Sequence, residues 1–254
     1  MYLEMSDSQH TDYSEKDWFK QADGTATVWR YIDFSQYVNL LTTGKTWFSR
    51  VDQFDDPREG MPSTKTLANS GENNGILTQK FEDIQQWVYA SCWHQNPVQS
   101  DGMWKLYLSS DTGVAIQSTV DDLRAAFTTD HDLFFTRVNY IDWDDDVVPL
   151  SPVIAPSLHK RKCFQHEREF RVVLRHKKWR PEPYHPYEKP ITDAGLPVTT
   201  SLDDLIERVY TAPKADRWFH STVEEITEEY VNAPVLRSDL YEDVGTGRDR
   251  PLSN

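Results

Sequence analysis

Ionisable side chains of one stretch, EREFRVVLR at residues 167–175, stand at a spacing that chemistry can use. Glu167 and Glu169 are two apart, so on an extended backbone their carboxylates project from one face, roughly 7 Å apart along the chain. Phe170, Val172 and Leu174 fall on the opposite face and read as core. A carboxylate pair fixed at a defined point of a buried sheet is a candidate catalytic pair. The same pattern also suits an exposed polar face, with Arg168, Arg171 and Arg175 as its ion-pair partners.

Other clusters invite metal chemistry. FDDPREG, residues 54–60, sets Asp55, Asp56 and Glu59 around a proline. Asp before Pro starts a turn, and an acidic loop of this kind can also coordinate Mg²⁺. With Glu169-x-Arg171 it resembles a metal-dependent nuclease core, in which Arg171 stands where a lysine is expected. His159, Cys163 and His166, together with Cys92 and His94, bring up zinc, but their spacings are not those of a structural zinc site. No metal is expected. The basic run HKRK at 159–162 reads as a solvated turn. The chain contains no Gly-rich phosphate loop, no Gly-x-Ser-x-Gly elbow and no His-Glu-x-x-His helix, which argues against P-loop NTPases, Rossmann dehydrogenases, α/β-hydrolases and zincins.

The elements that must position these residues follow from patterning. ATVWRY (26–31) is a strand; Asp33 caps a helix carrying Phe34, Tyr37, Val38 and Leu41, and Gly44 closes it. KTWFS (45–49) is a second strand, and 52–76 a long irregular excursion. A helix over 78–86 leads into the strand WVYASCW (87–93). Ser100 caps DGMWKLYL, GVAIQST (113–119) is a strand, and Thr119 opens the helix TVDDLRAAF. LFFTRVNYI (133–141) is a strand and WDDDVVPLSPV a loop. After the strand at 167–175, residues 176–197 form a second excursion rich in Pro, Lys and His. ERVYTAP (207–213) is a strand, and 216–231 is a helix with Phe219, Val223, Ile226 and Tyr230 as its apolar stripe. PVLRSDL supplies the last strand. With no repeat and no regular βαβ alternation, the pattern predicts an α+β fold, a mixed and mostly antiparallel sheet with flanking helices. The expected organisation is an acidic flexible lead-in (1–24), one α+β domain (25–241) and a flexible tail (242–254).

Composition sets the outer bounds. The 254 residues carry 27 Lys+Arg against 41 Asp+Glu, a formal charge of −14, and include 9 Trp, 12 Tyr and 11 Phe. That aromatic content builds a core and rules out wholesale disorder. The acidic balance opposes non-specific nucleic-acid binding. No run approaches the roughly 18 apolar residues of a membrane span, so no membrane partner is expected. Two cysteines are too few for a disulfide framework, and a reducing cytoplasm is the expected setting.

Read in order, WRYIDFSQYVNLL, WFSRVDQFDDPREG, SCWHQ, SDGMWKLY, GVAI, KRKCFQHEREFR and VLRSDL resemble the bacterial family catalogued as domain of unknown function 2971, from about Trp29 to Leu240. That family name carries no activity. The chain also resembles the ADP-ribosyltransferases, which have an early strand with an Arg or His, a middle strand with a Ser or Tyr, and a late strand with Glu. Arg30 in VWRY, Ser91 in YASCW and Glu169 keep this order, although the middle motif is Ser-Cys-Trp rather than Ser-Thr-Ser. This resemblance implies an ADP-ribosyltransferase-like core and NAD as substrate, with transfer to an unknown protein or nucleic-acid acceptor, or hydrolysis. It implies Glu169 on the ribose, Glu167 orienting the acceptor or water, and Arg30 on a phosphate or ribose. Tyr31, Tyr89, Ser91, Trp93 and His94 would complete the NAD site, with Trp93 or Tyr89 stacked on nicotinamide. The alternatives are a metal-dependent nuclease or phosphodiesterase, and a non-catalytic nucleotide- or partner-binding domain.

Overall fold

The computed structural model of the chain describes residues 19–108, 111–179 and 194–241. The lead-in through Trp18, most of the second excursion (180–193) and the tail 242–254 lie outside them. The first half runs β1 (Thr27–Asp33), α1 (Phe34–Thr43), β2 (Lys45–Arg50), α2 (Thr64–Asn69), α3 (Asn74–Gln85), β3 (Val88–Gln95) and α4 (Asp101–Tyr107). Then come β4 (Gly113–Thr119), α5 (Val120–Ala126), β5 (Phe127–Thr128), β6 (Asp132–Arg137), β7 (Asn139–Ile141), β8 (His159–Arg161) and β9 (Glu169–Arg175). The chain closes with β10 (Gly195–Thr200), α6 (Leu202–Leu205), β11 (Arg208–Thr211), α7 (Arg217–Tyr230) and β12 (Val235–Arg237). The fold is α+β.

Local chemistry sets the element ends. Asp33 accepts from the Gln36 amide at 2.8 Å, and Gly44 ends α1 with φ 59°, a conformation that favours glycine. Ser100 and Thr119 cap α4 and α5 through their hydroxyls.

Among the described residues ten strands form one mixed sheet, along the path β12-β11-β4-β1-β3-β2-β10-β5 with β9 and β6 branching from β3. Its pairings are antiparallel apart from β11 with β12; β7 and β8 make a separate parallel pair. The branch matters for function. One edge of β3 pairs with β9 from Val88↔Arg175 to His94↔Glu169. The other edge is divided: β1 holds Gln95 and His94, and β2 holds Ala90 and Tyr89. Along Ser91–Trp93, between the two, β3 has no neighbour on that edge among the described residues, and the sheet opens.

Several expectations are corrected. β9 begins at Glu169; Glu167 ends a 3₁₀ turn (Lys162–Glu167), and Arg168 between them is left-handed with φ 42°. The two glutamates are therefore not strand neighbours. Nor is the polar face of β9 exposed. Phe170, Val172 and Leu174 share the larger core with Tyr37, Leu41, Phe219 and Val223, while Val173 joins a second core with Leu77, Phe81 and Ile84 of α3. Both faces of β9 are covered, so Glu169 and Arg171 lie inside the protein. The 133–141 strand is broken into β6 and β7, the first excursion contains α2 and the start of α3, and Gly195–Thr200 is a strand. In α7, Tyr230 is exposed and Thr227 is buried in its place, bonded to the Tyr37 hydroxyl at 2.8 Å. Phe19, inside the expected lead-in, is buried in the second core.

Candidate functional site

A cleft of about 640 Å³ occupies the opening beside β3. Four consecutive residues of β1, Trp29 to Ile32, border it; since side chains alternate along a strand, the cleft must run along the strand edge. Residues from both faces of the sheet therefore reach it. Glu169 and His94 are register partners, as are His94 and Trp29, and share one face. Arg30 stands on the other face, where its guanidinium meets Ser91 and Trp93.

The floor is a buried ionic network. Arg171, 1% exposed, donates from Nε to Glu169 Oε1 at 2.5 Å and from Nη2 to Glu169 Oε2 at 2.9 Å. The same Nη2 bonds Glu59, and Nη1 donates to the Ser157 carbonyl at 2.8 Å. The Lys160 ammonium lies 3.1 Å from Glu59 Oε1, 2.6 Å from Glu167 Oε2 and 3.4 Å from Glu169 Oε2. Burial alone would raise the Glu169 carboxyl, but Arg171 and Lys160 overcome it and hold the group well below the usual carboxylate range. Glu167 goes the other way: burial, helped by the neighbouring Glu169 charge, outweighs Lys160 and Arg171 and pushes it up. Lys160 is raised, because Glu169 and Glu59 more than offset its burial. The network thus places a carboxylate held ionised by two cations beside one that takes up a proton more readily.

The turn that carries Glu59 depends on the glycine that follows it. Gly60 has φ 76°, and a Cβ there would sit 2.7 Å from Val51 Cγ1. Gln85 of α3 donates to the Glu59 carbonyl at 2.5 Å. Asp56, one turn earlier, is clamped by Arg161 through paired bonds of 3.0 and 3.1 Å.

The opposite wall carries Arg30. Its Nη1 bonds the Ser91 hydroxyl, its Nη2 donates to the Trp47 carbonyl at 3.2 Å, and its Cζ sits 5.7 Å from the Trp93 ring centre. Burial lowers its pKa. Among the described residues four Lys and Arg side chains border the cleft; three of them, Lys160, Arg161 and Arg171, are paired with carboxylates. Arg30 has no carboxylate partner among the described residues.

No family model matches the chain, so the likeness to domain of unknown function 2971 stays one of motifs. No curated protein matches it either. Two solved structures of Thermus sp. 2.9 DarT do. One, in complex with carba-NAD⁺, is 10% identical and aligns over 85% of this chain and 96% of its own, with a TM-score of 0.36. The other, in complex with NAD⁺, is 8% identical over 86% of this chain and 98% of its own, with a TM-score of 0.39. A likeness at those values assigns neither a residue nor an activity to this chain.

Of the residues expected in the site, Arg30, Tyr31, Trp93, His94, Glu167 and Glu169 border the cleft. Ser91 and Tyr89 do not. Ser91 is buried and accepts from both Arg30 and the Trp93 indole (3.0 Å), so it holds the wall rather than forming it. Tyr89 points into the larger core and is fully buried. Tyr31 accepts from the Ser100 amide at 2.9 Å, which fixes the start of α4 against β1. His94 donates from Nδ1 to the Glu167 carbonyl at 2.6 Å, and burial lowers its pKa. The run HKRK is no solvated turn: His159 and Lys160 are buried and Arg161 is half-buried. Sequence reasoning missed Lys160 as part of the site, and a lysine within a basic run carries no local mark of burial.

The metal reading fits poorly. Asp56, Glu59, Glu169 and Arg171 do border the cleft, but Arg171 and Lys160 each bridge Glu59 and Glu169, and Arg161 takes Asp56. A divalent ion bound by Glu59 and Glu169 would have to displace two cations. Of the zinc candidates, His159 is buried and turned to the Ala155 carbonyl at 2.7 Å, while Cys163 is exposed.

Proposed function

We propose that the chain binds NAD in this cleft and breaks the bond between nicotinamide and ribose, passing ADP-ribose to an acceptor or to water. The observation that carries the reading is that Arg30, a cation without a carboxylate, faces the same cleft as the Glu167–Glu169 pair. A half-buried guanidinium with spare donors suits the pyrophosphate of a dinucleotide. Loss of nicotinamide, which leaves with the bonding electron pair, develops positive charge on the ribose, and a fixed carboxylate stabilises it. Glu169, ionised and with most of its acceptor capacity taken by Arg171 and Lys160, supplies that fixed charge. Among the described residues Glu167 Oε1 has no hydrogen-bond partner, which leaves it to orient the acceptor or water once nicotinamide has gone. Trp93, buried in the larger core, backs Arg30 rather than stacking on the ligand, and Tyr31 and His94 shape the wall. The acceptor is a protein or nucleic-acid nucleophile or water, and the setting is cytoplasmic, in keeping with two free thiols, Cys92 and Cys163. Among the described residues no helix is long and apolar enough to cross a membrane.

Incubation with NAD, following free nicotinamide with and without a chelator, tests this. Release that survives chelation supports it. Cleavage of DNA or RNA abolished by chelator would replace it with the metal-dependent reading, and inertness towards both with a non-catalytic binding role.

A further inference from the structure

Three carboxylates and two cations meet on the floor of the cleft. Arg171 is shared by Glu59 and Glu169, and Lys160 by Glu59, Glu167 and Glu169. With all five ionised, one negative charge is left over, and the contacts say where it sits. Glu167 touches Lys160 alone, and its Oε1 has no hydrogen-bond partner among the described residues although the residue is only 7% exposed. At the Arg30 wall the surplus has the opposite sign. Buried surplus charge is costly until something of opposite sign arrives.

We infer that the cleft is matched to a ligand that is anionic where it meets Arg30 and cationic where it meets Glu167, so that Glu167 selects the positively charged nicotinamide ring of NAD⁺ over neutral-ring or ringless relatives. This rests on the NAD reading above. The groups that face Glu167 are Lys160 from β8, Glu169 and Arg171 from β9, Glu59 from the turn before Gly60, Tyr107 from α4 and Tyr140 from β7; His94 of β3 holds its backbone carbonyl. Burial raises both tyrosines above their ordinary values, so they stay neutral near pH 7. Burial raises the Glu167 carboxyl, so in the free protein a proton answers the surplus charge at a higher pH than at an ordinary carboxylate. A bound pyridinium answers the same charge, so proton and ring compete for it.

The test is calorimetric titration of the full chain with three probes: carba-NAD⁺, which keeps the pyridinium and resists cleavage, NADH, whose ring is neutral, and ADP-ribose, which has none. At pH 8 carba-NAD⁺ should bind roughly tenfold more tightly than either of the others, the worth of one charge-assisted contact. At pH 4.5, where a raised carboxyl is mostly protonated, that advantage should shrink and binding should release protons, read from the dependence of the heat on buffer ionisation. Glu167→Gln should erase the advantage; if that variant does not fold, the three-probe comparison on the wild-type chain still decides. Equal affinities for all three would overturn the inference and leave the NAD reading standing. Failure of all three to bind would remove the NAD reading itself.

Discussion

Replacing Arg171 by Met removes the cation on which the buried network turns. The side chain is 1% exposed and makes two bonds to Glu169, one to Glu59 and one to the Ser157 carbonyl. Met fills much of the volume, so the loss is electrostatic rather than a cavity. Two carboxylates are then left inside with Lys160 as their sole shared cation. Breaking a buried pair from one side costs about 3–5 kcal/mol, and a domain of this size loses about 2–4 °C in Tm per kcal/mol. The variant should therefore melt about 6–20 °C below wild type at pH 7. Its pH dependence follows from Glu169. The folded pKa of that group is depressed, so its contribution is present above the unfolded carboxylate value and is lost as pH falls through the folded one. The deficit should accordingly be largest near pH 7 and narrow below about pH 4. Thermal unfolding followed by circular dichroism at pH 7 and pH 3.5 measures both. A variant melting within about 2 °C of wild type at pH 7 would refute the claim that Arg171 holds the network together.

Glu169→Gln should lower nicotinamide release by about 100- to 1000-fold, the usual scale for removing one transition-state stabiliser; turnover at the wild-type rate would sink its assignment. Arg30→Ala should weaken binding of carba-NAD⁺ about tenfold or more, one or more charge-assisted bonds being lost. Because no carboxylate is stranded by that change, stability should fall by no more than about 1 kcal/mol in urea titration, and a larger fall would make Arg30 structural. Gly60→Ala should cost about 1–3 kcal/mol, since φ is 76° and the new methyl meets Val51; an unchanged urea midpoint would show that the turn presenting Glu59 does not need glycine.

What could be read from the sequence is what neighbours in sequence settle between themselves. The caps at Asp33, Ser100 and Thr119 and the stop at Gly44 rest on contacts within a few residues, and each appears where the pattern places it. The apolar alternation of Phe170, Val172 and Leu174 names a core face because the period of a strand is fixed by its backbone. The order of Arg30, Ser91 and Glu169 along the chain suggested one site, but it did not show that the register puts Arg30 and Ser91 on the face opposite Glu169, with Arg30 and Glu169 both bordering one cleft. Tertiary structure decided the rest. Alternation cannot say whether the second face of β9 meets water, and here Val173 packs into a second core that buries Glu169 and Arg171 with it. The Arg171–Glu59 bond spans 112 positions, and no local pattern marks either end. Lys160 sits in a basic run whose composition reads as surface, yet it is drawn inward because Glu59, Glu167 and Glu169 converge there. Ser91 and Tyr89 look like site residues by type, but tertiary packing makes one a brace for Arg30 and the other part of the core. A charged cluster becomes a site when the strands bring its members within a few ångströms and exclude water, and that depends on pairing between distant segments.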